Sequence, residues 1–150
     1  MRVRAKESGR GGATTVETAM VIFLFLLLMF SIFEYGRMVM LQHLMINGAR
    51  EGCRYAVVHS TDTTIVADVQ NTVRRHMGDH YTQFPDILIE TFPSQTPSAA
   101  NDTAAINNLQ PDDDVTVRVT GTFRTMFPTL LFLPVSFQMR SSSVMTCEGN

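Results

Sequence analysis

The sequence predicts an α+β protein: a long N-terminal membrane-spanning helix that continues into a small exported domain with a second helix and an antiparallel sheet. Three observations predict it. Thr18–Phe33 is an uncharged, largely apolar run between Glu17 and Glu34. Asp114–Arg124 and Val135–Glu148 alternate apolar and polar residues, the period of a half-buried strand. Charge is segregated: in residues 1–12, Arg2, Arg4, Lys6 and Arg10 stand against Glu7 alone, whereas residues 38–150 carry seven Arg and eleven acids. The chain of 150 residues has room for one domain, and its net charge of −2 argues against nucleic acid as a partner.

The run Thr18–Phe33 is a little short of the ~20 residues that cross a bilayer, a deficit that snorkelling or local thinning absorbs. Past Glu34–Arg37 the chain turns apolar again at Met38–Leu41, so one helix is expected to run through both parts. The basic head would stay in the cytoplasm and the body would be exported. Glu34, Tyr35 and Arg37 read as an interfacial belt at the outer membrane edge, with a contact among subunit helices as the alternative.

Beyond the belt, Ile46, Ala49, Cys53, Ala56 and Val57 recur at spacings of three and four. Most are small, so a sheet can approach this face closely. His59–Asp62 breaks the pattern and is expected to cap a second helix near Thr63–Gly78, with Ile65, Val69 and Val73 as its apolar line. Asp86–Phe92 reads as a short strand and Pro93–Pro111 as a polar loop. In Asp114–Arg124, Val115, Val117, Val119 and Phe123 share a face. Pro128 and Pro134 bracket an apolar connection, Thr129–Leu133, and the last strand shows Val135, Phe137, Met139, Met145 and Cys147 on one face.

The N-terminus differs from a secretory signal peptide. Such a peptide has its small-residue cleavage site after the apolar region. Here Phe30–Gly36 offers no such site, and the small residues Gly11 and Gly12 precede the apolar run. Cleavage there would leave the helix on the mature chain. Gly12-Ala13-Thr14-Thr15-Val16-Glu17 resembles a type IV prepilin processing site, with a basic leader ending in Gly and a Glu at mature position five. More specifically, "RGGATTVETAMVIF…FEYGR" resembles the TadE-like family of pseudopilins from tight-adherence (Flp-type) pilus systems, and "NGAREGCRYAV" at residues 47–57 is similar to the stretch that follows the family's membrane helix. Family members more often carry a small residue such as Ala where Cys53 stands.

The resemblance implies a pilin-like fold in three parts: a leader over 1–12, a transmembrane helix and belt over 13–37, and an exported α+β domain over 38–150. It implies that a prepilin peptidase cuts between Gly12 and Ala13 at the cytoplasmic face. It implies a bacterial inner-membrane protein, single-pass, with its N-terminus cytoplasmic and its C-terminal domain periplasmic or extracellular. The partners implied are that peptidase, other pilin or pseudopilin subunits, the assembly machinery and the lipid bilayer. Glu17 would pair with the new α-amine of a neighbouring subunit, since a buried charge among apolar helices is costly unless paired. A hydrated carboxylate at the membrane interface is the plainer alternative.

Cys53 and Cys147 both point toward the predicted helix–sheet interface, so a Cys53–Cys147 disulfide is expected in an exported domain, with two buried free thiols as the alternative. His76 and His80 are four apart, without a nearby third ligand to complete a metal site. Asp112–Asp114 reads as a solvated turn before a strand. No nucleophile–base pair, phosphate loop or paired catalytic carboxylates stand out, so neither an enzyme nor a cofactor is expected. The functional expectation is a minor pilin or pseudopilin. The alternative is a single-pass membrane-anchored protein with an extracytoplasmic ligand-binding domain.

Overall fold

The computed structural model describes residues 11–131 and 133–147. The charged residues of the expected leader, Arg2 to Arg10, and Glu148 of the expected last strand lie outside the described residues. Helix α1 runs unbroken over Gly11–Val58, 48 residues, or about 72 Å of axis. The two apolar stretches are thus one helix, as the sequence implies. An apolar helix with all its backbone bonds internal is one of the two ways a chain can cross lipid. Residues 12–26 of α1 are exposed on every side; from Leu41 onward one face is buried.

The head is built on that second half. Strands β1 (Leu88–Pro93), β2 (Asp114–Arg124) and β3 (Ser136–Thr146) form an antiparallel sheet in the order β1-β2-β3. Val117 pairs with Thr91 on one side and Ser143 on the other. Alternation then sends Val115, Val117, Val119 and Phe123 to the helix side, all buried. Helix α2 (Ile65–Met77) lies against α1, and its expected line Ile65, Val69 and Val73 is fully buried with Met77. The α1 face at the core is Leu41, Met45, Ala49, Cys53 and Ala56. Ile46 and Val57, expected on it, are only half-buried at its margin.

Several boundaries differ from the sequence reading. The cap of α2 is Thr64 rather than His59–Asp62, and its hydroxyl donates to Asp68 Oδ2 (2.7 Å) instead of accepting from the backbone. Strand β1 begins two residues later than expected and includes Pro93. The polar loop holds a short helix, α3 (Thr103–Asn107), because Asp102 Oδ1 accepts from the amide N–H of Ala104 at 2.9 Å. Its Ile106 is fully buried. The edge of β1 is covered by Asn101, which exchanges bonds with Thr91 through its backbone N–H (2.7 Å) and its side-chain oxygen (2.9 Å). The apolar connection contains a single turn, α4 (Pro128–Leu131). Val135 precedes β3 and is exposed.

Candidate processing and assembly site

Gly12, Ala13 and Glu17 lie on the first turns of α1, and all three are exposed. The helix passes through the Gly12–Ala13 bond without a break. A Cβ added at Gly12 would meet nothing within 4 Å. Packing among the described residues gives no reason for a glycine here. Ala13 and Glu17 are one turn apart and share a face. None of the three ion pairs among the described residues involves Glu17. Thr18, the next residue, turns its hydroxyl back to the Thr14 carbonyl (2.8 Å), which spares a polar group on an apolar helix.

The second polar island behaves differently from a plain lipid belt. Glu34 is buried, and its Oε1 accepts from Arg37 (2.8 Å) and from the backbone N–H of Met126 (3.1 Å). Arg37 also donates to the Arg124 carbonyl, and its guanidinium lies 4.2 Å from the centre of the Phe123 ring. Two of the three belt residues therefore clasp the end of β2. Tyr35 alone keeps an outward position, 65% exposed. One turn further down α1, Phe30 packs on Phe127, with ring centres 4.7 Å apart. In the sequence this stretch reads only as an apolar connection bracketed by Pro128 and Pro134. The signal was an uncharged run, Thr125–Val135, adjoining the span in composition.

The expected disulfide is corrected. Both cysteines are free and buried. Cys53 points at the Ser143 carbonyl (3.0 Å). Cys147 lies four residues further along the sheet edge, bonded to Asp113 through its backbone N–H (2.8 Å). Cys53 Sγ also lies 3.8 Å from the Val115 carbonyl. Burial pushes the Cys53 thiol up, and burial with the Asp113 and Asp114 carboxylates does the same to Cys147.

The histidines and aspartates have local partners. His76 Nδ1 lies 3.2 Å from the Thr72 carbonyl, and His80 Nδ1 lies 3.0 Å from Gln83 Nε2. Asp113 accepts from Gln95 and from the Gln110 backbone, each at 2.8 Å, and Asp114 accepts from Thr146 (2.7 Å). Among the described residues no cluster of three His, Cys, Asp or Glu is placed to hold a metal.

No curated protein matches the chain, and no solved structure does. One family model matches, over residues 12–54, which begin at Gly12 and end one residue past Cys53. That stretch is the exposed apolar half of α1, the Glu34–Arg37 clasp and the first turns beneath the sheet. Residues 12–54 are thus similar to TadE-like proteins, the family that the N-terminal motifs resemble.

Proposed function

We propose that this chain is a minor pilin or pseudopilin, a structural component of a tight-adherence (Flp-type) pilus assembly or secretion system. The observation that carries the reading is the TadE-like match beginning at Gly12, on a helix whose largely apolar residues 12–26 are exposed. Such a helix needs either lipid or other helices around it. A prepilin peptidase removes residues 1–12 at the cytoplasmic face and leaves α1 as the anchor. The head then stands on the far side of the inner membrane. Glu17 pairs with the α-amine of Ala13 in a neighbouring subunit, which compensates both charges and sets the axial step between subunits.

N-terminal sequencing of the protein from native membranes tests this. The mature chain begins at Ala13. Gly12→Leu blocks processing without disturbing the head, because the added side chain has open space around it. A mature chain that still begins near Met1 in cells with an active prepilin peptidase would sink the pilin reading.

A further inference from the structure

Three contacts step down α1 in order. The Arg124 carbonyl meets Arg37, the Met126 N–H meets Glu34, and the Phe127 ring meets Phe30. Leaving β2, the chain therefore descends along the helix toward its N-terminus, away from the core of the head. Phe30 lies inside the uncharged run Thr18–Phe33. It is about 6 Å below Glu34 along the axis. The descending segment, like the run Thr18–Phe33, contains no charged residue: Thr125–Val135 is Thr, Pro and large apolar side chains. Its large side chains are not consumed by the head. Met126 is 67% exposed, Leu133 43% and Val135 69%.

We propose that the β2–β3 connection, Thr125–Val135, is a second membrane contact, entering the leaflet on the head's side beside α1 and seating the head on the lipid surface. The proposal rests on α1 spanning a bilayer and is independent of cleavage and of piliation. The occupant follows from depth. If Phe30 is surrounded by acyl chains, a segment packed on Phe30 is at the same level, and its outward side chains meet the same lipid. Lipid is also the partner that an uncharged, exposed apolar segment continuous with a membrane span would meet first. The backbone is equipped for that depth. Thr125 donates to the Pro134 carbonyl (2.8 Å), the Leu131 N–H to Phe127, and the Leu133 N–H to Pro128, so the excursion closes many of its own bonds. At its upper end, level with Met126, the mutually neutralising Glu34 and Arg37 mark where water begins.

The chain contains no tryptophan, which makes single-Trp reporters clean. The full chain carrying Met126→Trp or Leu133→Trp is reconstituted in phosphatidylethanolamine/phosphatidylglycerol vesicles doped with lipid brominated at shallow acyl positions. Both sites are exposed, so the fold tolerates the larger ring. Phe23→Trp reports the span, and Val144→Trp, on the outer face of the sheet toward its far end, reports the head. The expected result is a loss of emission at Leu133→Trp and Phe23→Trp, a smaller loss at Met126→Trp, whose backbone is bonded to Glu34 at the boundary, and no loss at Val144→Trp. Water-like emission without quenching at 126 and 133 overturns the proposal. Blue-shifted emission without quenching overturns it too, and assigns the segment to a neighbouring protein surface. Quenching at Phe23→Trp alone removes only the second contact. Absence of quenching there as well removes the span with it.

Discussion

Gly52 is the tightest point between α1 and α2. A Cβ there would stand 2.7 Å from Val73 Cγ2, with Val117 and Val69 closing the other sides. The glycine costs helix propensity, yet it lets two helices and β2 meet at one point. Gly52→Ala should therefore lower the stability of the head: overpacking costs ~1–3 kcal/mol, against a propensity gain of ~1 kcal/mol. Denaturant unfolding read at the head measures the net loss, and a stabilised variant would contradict the packing. Gly121 makes the same allowance for Phe84, whose ring lies 2.7 Å from the Cβ position. The cysteines give a second residue-scale prediction. As separate free thiols, both should alkylate in denaturant without reductant. Cys53→Ala and Cys147→Ala should each cost ~1 kcal/mol or less, additively, rather than the ~4–5 kcal/mol shared loss of a bridge closing so long a loop. Because burial raises the folded Cys53 pKa, the unfolded thiol ionises first. Head stability from this group is fully present below the unfolded value, about 8.5, and is lost as pH rises beyond it. Cys53→Ala should flatten that alkaline limb.

At the scale of elements, the join between α1 and the end of β2 decides how the head is held. Glu34 accepts from a side chain on its own helix and from the backbone of the connection, so it belongs to both. Glu34→Ala would leave the Met126 N–H without its acceptor and the Arg37 guanidinium with only the Arg124 carbonyl. Losing hydrogen bonds to a charged group costs ~1.5–3 kcal/mol. The expected outcome is a looser connection: spin labels at Gln42 and Met126 should give a broader distance distribution, while the far end of the sheet is unchanged. Glu34→Gln, which keeps an acceptor oxygen, should recover most of the order. An unchanged distribution in Glu34→Ala would show that the aromatic contact of Phe30 with Phe127 suffices alone.

For the whole molecule, α1 does two jobs in sequence along its length. Its first half offers apolar surface to whatever surrounds the protein, and its second half is the floor of the head's core. Glu17 lies on the first half, remote from the core. Glu17→Ala should therefore leave the melting of the head unchanged and leave membrane insertion intact or improved, because the carboxylate is the least lipid-compatible group on that surface. It should impair assembly into the pilus complex. Normal piliation and normal co-purification with pilus components would return Glu17 to an interfacial role.

The sequence by itself determined the long helix, the alternation of β2 and β3, the apolar line of α2 and the resemblance at Gly12–Glu17. Each rests on local periodicity or on adjacent residues, which a chain carries without reference to its fold. What only the tertiary structure decided depends on register between distant segments. Alternation says that Cys53 and Cys147 face the same layer. Whether the two thiols join depends on the crossing of α1 and the register of β3, and in the structure both are free. Short α3 was hidden in a polar loop because one capping aspartate and one buried isoleucine make too brief a pattern to show a period. The turn of Glu34 and Arg37 inward was hidden because a charged pair at the end of an apolar run reads the same whether it meets water or folds onto a strand 90 residues away. The β2–β3 connection had its composition in plain view. Its depth beside Phe30 is a property of three contacts between distant parts of the chain, and no local pattern encodes it.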